Sequence, residues 1–85
     1  MIVHYHKEFL KRFRKQPLKI QERFKDRLSL FMKDEFDPTL NNHSLRGKHG
    51  SYRSINVTGD IRAVFKRTVQ EAIFVPIDSH SNLYG

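Results

Sequence analysis

Residues 52–66, YRSINVTGDIRAVFK, alternate apolar and polar side chains on either side of a Thr58-Gly59-Asp60 break. Period-two alternation is what a strand with one buried face requires, and the break has the composition of a tight connection. The stretch reads as two strands, residues 52–57 and 61–67, with Gly59 expected to supply a positive φ at the turn. Ile61, Ala63 and Phe65 share one face of the second strand; Arg62, Val64 and Lys66 share the other. On the first strand Ile55 and Val57 have the parity opposite to Asn56. Arg53, Asn56, Asp60, Arg62 and Lys66 are more polar and charged groups than an ordinary hairpin needs. One face of such a sheet packs, and the other is free to act on something anionic.

The packed face needs cover, and the first half of the chain supplies it. Residues 2–5 are β-prone. Residues 7–16 have an apolar stripe of Phe9, Leu10 and Phe13, with Lys7, Lys11, Arg14 and Lys15 on the other side, as in an amphipathic helix. Pro17 suits the start of a second helix. In it Ile20, Phe24, Leu28, Phe31 and Met32 recur at helical spacing up to about Glu35, and Leu18 and Leu30 lie off that stripe. Residues 36–51 carry turn formers (Asp37-Pro38, Asn41-Asn42) and the pair Gly47 and Gly50 around Lys48 and His49. Such a connector is long enough to carry function. Residues 71–77 form a last strand, and residues 78–85 a polar tail with His80, Asn82, Leu83 and Tyr84. The expected architecture is α+β, order βααβββ: two N-terminal helices on a small, mainly antiparallel four-stranded sheet.

The chain has 85 residues, enough for one domain spanning residues 1–85. A core of that size supplies about 3–5 kcal/mol unaided. There is no cysteine, which excludes disulfides and thiolate metal sites. The formal net charge of +7 predicts attraction to nucleic acid, an acidic protein or an anionic membrane. Residues 1–35 hold ten basic and five acidic side chains, so the helical half dominates that field. No apolar run approaches membrane-spanning length, and the N-terminus lacks a signal-peptide core, so a cytoplasmic location is expected.

The five histidines, His4, His6, His43, His49 and His80, do not form H-E-x-x-H, and neither a metal nor another cofactor is expected. Paired carboxylates for glycoside chemistry are not evident. The inventory of His43, His80, Asp60, Arg53 and Arg62 fits metal-free RNA cleavage better. There the substrate's own 2′-OH attacks the phosphorus, and the protein moves protons and stabilises charge. Histidine suits the proton transfers near neutral pH, and arginine suits phosphate. Each residue has a structural alternative. His80 is otherwise an exposed tail residue, His43 a loop-shaping group, Asp60 a turn former. Arg62 either binds phosphate or pairs with Asp60 or Asp78. Arg53 has the parity of Ile55 and Val57, which directs it to the strand's start or to the packed face. Tyr52, Phe65 and Phe74 are core or cross-strand residues rather than base-stacking platforms, whereas Tyr84 either stacks on a base or anchors the tail.

HSLRG at residues 43–47, YRSINVTGDIRAVFK at residues 52–66 and DSHSNLY at residues 78–84 together resemble the RelE/ParE superfamily of bacterial toxins, most of all the YafQ type. The early HKEFLKRFRK segment fits the first helix of that family. The resemblance covers essentially the whole chain. It implies a ribosome-dependent mRNA endoribonuclease held inactive by a cognate antitoxin protein, with the ribosome and mRNA as further partners. By the same resemblance His43 matches the loop histidine, Asp60 the aspartate, His80 the C-terminal acid–base group and Tyr84 the terminal aromatic. Arg62 and Arg53 match strand arginines that neutralise phosphate, with Asn56 and Lys66 beside them as substrate contacts. Asn56 stands where the family has a strand histidine, and Ile61 where an aromatic often follows the aspartate. Asparagine hydrogen-bonds phosphate or sugar but exchanges no proton at neutral pH. A ParE-like inhibitor of DNA gyrase acting by protein contact, and a catalytically weakened antitoxin-binding protein, are the alternatives. A generic RNA-binding domain would be expected to show a signature that is absent here.

Overall fold

A computed structural model describes residues 1–45 and 51–84, without the side chain of Tyr84. The expectations placed on Gly47, Lys48, His49 and Gly50, and on the Tyr84 ring, lie outside the described residues. The chain runs β1 (Ile2–Tyr5), α1 (Lys7–Lys15), α2 (Leu18–Lys33), a 3-10 turn (Pro38–Leu40), β2 (His43–Ser44), β3 (Tyr52–Asn56), β4 (Ile61–Arg67), β5 (Glu71–Ser79) and α3 (His80–Tyr84). The α+β order is the expected one, with two additions. The connector contributes a two-residue edge strand, so the sheet has five strands in the order β1-β5-β4-β3-β2. The tail is helical rather than irregular. Among the described residues only β1 pairs in parallel, with β5; the other neighbours are antiparallel.

Local chemistry sets the helix ends. His6 caps α1, its Nδ1 accepting from the Glu8 N–H at 3.1 Å. Arg14 and Lys15 fall in the last turn of α1, where positive charge suits the helix dipole. The Pro17 carbonyl accepts from the N–H groups of Ile20 and Gln21 and so opens α2. Asp34 and Asp37 accept from the N–H groups of Phe36 and Thr39, which folds the chain back and buries Leu40 completely.

Aromatic packing holds the helices to the sheet. Phe74 on β5 is the hub: its ring lies 5.2 Å from Phe65, 5.5 Å from Phe24, and 5.7 Å from both Phe9 and Phe31. All five rings are buried. Ile55, Val57, Ala63, Ala72 and Ile77 complete this face. Two positions on the expected helical stripes face outward. Met32 is 48% exposed, because Phe31 already occupies the inward position one residue earlier; Leu10 lies at the rim of the α1–α2 groove.

Alternation on β5 does not run straight through. Ala63 pairs with Ile77 and Phe65 with Phe74, so Val64 faces two residues, Val75 and Pro76. The extra residue is a β-bulge, and a proline is tolerated there because it has no N–H to give to the ladder. Ala72 and Phe74 point inward before the bulge, and Ile77 points inward after it. Asp78 is thereby turned to the opposite face, in register with Arg62. Without the bulge, simple parity would aim that carboxylate at the core.

Candidate nucleic-acid interface and acid–base site

One cross-strand polar row has the parity opposite to the buried Ile55, Ala63 and Ile77 and ends beside the β3–β4 turn. Asn56 on β3 pairs with Arg62 on β4, and Arg62 with Asp78 on β5. At one end of this row the β3–β4 turn meets the start of α3: the His80 N–H donates to the Asp60 carbonyl at 2.8 Å. Asp60 and His80, far apart in sequence, are thus neighbours, and both are exposed.

Side-chain hydrogen bonds build this corner. The Thr58 hydroxyl accepts from the N–H groups of Asp60 and Ile61, at 3.3 and 3.0 Å, and shapes the turn. Gly59 does not adopt a positive φ, and an added Cβ there would meet nothing within 4 Å. The threonine therefore does the work expected of the glycine. Among the described residues, the non-glycine residue with positive φ is Asn41, at 48°. The Ser79 hydroxyl accepts from the Asn82 N–H at 3.2 Å and caps α3. Asp78 accepts from the Ser79 N–H and the Asn82 amide, and its other oxygen lies 3.7 Å from Arg12 of α1.

Arg62 forms no ion pair among the described residues, with Asp60 and Asp78 included. Its Nη1 donates to the carbonyls of Thr58 and Gly59, at 3.0 and 2.8 Å. Neutral carbonyls orient a guanidinium without cancelling its charge. The Nε–Nη2 edge keeps its donors, and that edge has the fork geometry that grips a phosphate through two oxygens.

Arg53 has a different position. It pairs across the sheet with Phe65, on the packed side. Its Nε donates to Asn42 at 2.8 Å, and its guanidinium lies 5.6 Å from the centre of the Phe36 ring. Asn42 in turn donates to the Glu35 carbonyl, and Glu35 pairs with Arg67 at 2.9 Å. These groups border a cavity of about 330 Å³ at the end of α2. Arg53 and Arg62 therefore do not form a common floor; the parity of Arg53 with Ile55 sends it to the other face.

His43 pairs with Ser54 on β2, on the same face as Arg62 but two strands away, about 10 Å across the sheet. Its Nδ1 lies 2.8 Å from the Asn41 carbonyl. A carbonyl only accepts, so Nδ1 is the donor in this contact, and Nε2 is the second ring nitrogen of an exposed side chain. Lys66 pairs with Tyr52, four residues along β4 from Arg62 and about 14 Å distant. The backbone of Tyr84 closes α3.

His4 pairs with Glu71, His6 caps α1 and His43 sits on the opposite edge, so the histidines are dispersed. Among the described residues no three His, Cys, Asp or Glu side chains come together as a metal site. Sequence reasoning missed two contributors: Thr58, which shapes the turn, and Arg12, which lies beside Asp78.

No protein-family model matches the chain, and no curated protein matches it. Solved structures do. YafQ from E. coli superposes with a TM-score of 0.84 at 18% identity, covering 98% of this chain and 97% of that one. YafQ in the E. coli DinJ–YafQ toxin–antitoxin complex gives 0.76 at 20% identity, over 98% and 96% of the two chains. A copper-bound mutant toxin from Helicobacter pylori gives 0.76 at 26% identity, over 99% of each chain. The chain has the fold of the YafQ-type RelE/ParE toxins, as its motifs suggested.

Proposed function

We propose that this chain, built on the YafQ toxin fold, is the toxin of a toxin–antitoxin pair and cleaves mRNA on the ribosome. The observation that supports the reading is the corner where the turn that carries Asp60 and orients Arg62 meets the start of α3 at His80, joined by the backbone His80 N–H···O=C Asp60 bond at 2.8 Å. It combines a phosphate-gripping cation, an exposed carboxylate and an exposed imidazole on one edge of a strongly basic chain.

In this reading Arg62 binds the scissile phosphate through Nε and Nη2. The ribose 2′-oxygen attacks phosphorus, and the Asp60 carboxylate orients the hydroxyl and accepts its proton. The bond from phosphorus to the 5′-oxygen breaks, and protonated His80 delivers a proton to that oxygen. The products are a 2′,3′-cyclic phosphate and a 5′-hydroxyl. Charge on the phosphorane is stabilised by Arg62, already oriented by the turn carbonyls and so needing little rearrangement. Asn56 contacts the substrate without exchanging a proton. His43, two strands from Arg62, holds a neighbouring part of the RNA through its Nε2, with Lys66 and Tyr84 as outer contacts. The ribosome presents the mRNA in line, which supplies the orientation a small open face does not.

The partner is a cognate antitoxin. The DinJ–YafQ complex supports this, and the charge of +7 favours an acidic or amphipathic chain that orders on contact.

The test uses ribosome-bound mRNA. His80→Gln is expected to lower cleavage by about 10²–10⁴-fold, and the wild-type product should end in a 2′,3′-cyclic phosphate. Equal rates for the two proteins would remove His80 from the chemistry. Expression that stops DNA supercoiling before translation would replace the nuclease reading with gyrase inhibition.

A further inference from the structure

The β3–β4 turn has a second side. Between it and α2 lies a groove of about 260 Å³, lined by Arg23 and Arg27 of α2, Thr39 of the 3-10 turn, Asn56, and the turn residues Thr58 and Gly59. Arg23 and Arg27 are one helical turn apart, and neither forms an ion pair among the described residues; Glu22 and Asp26 on the same helix do not neutralise them. Two like charges at i, i+4 oppose each other unless an anion lies between them.

Two residues that border this groove carry a buried polar atom with no hydrogen-bond partner among the described residues: Nε of Arg27, a donor, and Oδ1 of Asn56, an acceptor. Buried polar groups are costly to leave unsatisfied, so a ligand that offers them partners is favoured here. The occupant must carry negative charge for the arginines and a hydrogen-bond donor for Asn56. A ribose–phosphate unit has both, a phosphate and a 2′-hydroxyl, whereas a deoxyribose–phosphate unit lacks the donor. The groove shares its turn residues with the corner described above. The carbonyls of Thr58 and Gly59, which hold Arg62 in place, belong to residues that line the groove.

We propose that this groove binds the ribonucleotide next to the scissile one, its phosphate on Arg23 and Arg27 and its 2′-hydroxyl donating to Asn56. The inference rests on the RNA reading above and extends it. Asn56 then selects RNA over DNA instead of moving a proton. The basic surface of α2 becomes part of the substrate path.

The experiment is a fluorescence-anisotropy titration of labelled five-nucleotide RNA, and DNA of the same sequence, into the His80→Gln protein over a range of salt. Arg23→Gln is expected to weaken RNA binding about fivefold and to flatten the salt dependence by about 0.7 in log–log slope, the value for one lost single-strand phosphate contact. Asn56→Leu should abolish the preference for RNA over DNA and leave the salt slope unchanged. Arg23 is exposed, so this variant keeps the test valid if Arg27→Gln fails to fold. Unchanged RNA affinity and slope in Arg23→Gln would overturn the groove. An intact RNA preference in Asn56→Leu would overturn the ribose contact. Arg62→Gln separates the two levels. If it weakens RNA binding and Arg23→Gln does not, the groove fails while the nuclease reading stands. If neither matters and ribosome-bound mRNA is not cleaved, the nuclease reading fails and takes the groove with it.

Discussion

Arg53–Phe65–Phe74 and Asn56–Arg62–Asp78 are cross-strand sets on the same three strands, three positions apart along β3 and β4, and they have opposite fates. In the first, the arginine is absorbed by the fold: it bonds Asn42, lies over Phe36, and stands next to fully buried rings. In the second, the arginine is oriented by two carbonyls and keeps a donor edge. The two residues have the same chemistry and sit on adjacent strands. Orientation relative to the helices decides which one holds the structure together and which one is available to a ligand.

Breaking the packed side should have the largest effect. Phe74→Ala is expected to cost about 3–5 kcal/mol, comparable to the whole stability of so small a core. Circular dichroism should show a largely unfolded chain at 25 °C. A cooperative, near-wild-type melt would mean that Phe74 is not the hub. The His80→Gln substitution described above should behave in the opposite way, losing cleavage while the cooperative melt is retained.

Arg62→Lys keeps the charge and removes the planar fork. Cleavage of ribosome-bound mRNA should fall about 10- to 100-fold, the equivalent of one or two charge-assisted hydrogen bonds. Wild-type rates in the lysine variant would show that charge alone suffices. Arg53→Ala should do the converse. Its melting free energy should drop by about 1 kcal/mol through the lost Asn42 bond and the Phe36 contact, while cleavage per folded molecule changes little. A large activity loss at unchanged stability would return Arg53 to the substrate.

The smallest effect concerns Tyr5. Burial raises its phenol above the usual 10.0, with the ring stacked on Phe9 and Phe74. The folded state thus prefers the neutral phenol and binds more protons than the unfolded chain once the unfolded tyrosine begins to ionise. Stability falls as pH rises from about 10 through the folded value. Tyr5→Phe removes this group, so its melting temperature should decline less steeply across that alkaline range than the wild-type one.

Much of the architecture was legible because it depends on local pattern. The strand at residues 61–67 and the helix stripe of Ile20, Phe24, Leu28 and Phe31 follow from periodicity, and the strand at residues 2–5 from β propensity. Met32 was misassigned because a helical stripe has soft edges, and an inward Phe31 leaves its neighbour in solvent. The β2 strand was not legible: two residues carry no period, and pairing with β3 is what makes His43–Ser44 a strand. Of the candidate site, Arg62, Asp60 and His80 were identifiable by type. Their meeting was not, because His80 reaches Asp60 only after β5 has paired along β4 and α3 has been capped by Ser79.

By itself, then, the sequence determined the kinds of groups available and the side of each strand they occupy near a turn: a charge of +7, an aromatic-rich interior, and a histidine, His80, outside the central hairpin. Tertiary structure decided which of them face one another. The bulge at Val75–Pro76 reverses parity on β5 and sets Asp78 beside Arg62. The β3–β4 turn brings Asp60 to His80 on one side and opens toward Arg23 and Arg27 on the other. These are long-range outcomes of strand register and helix docking, and local alternation has no term for either.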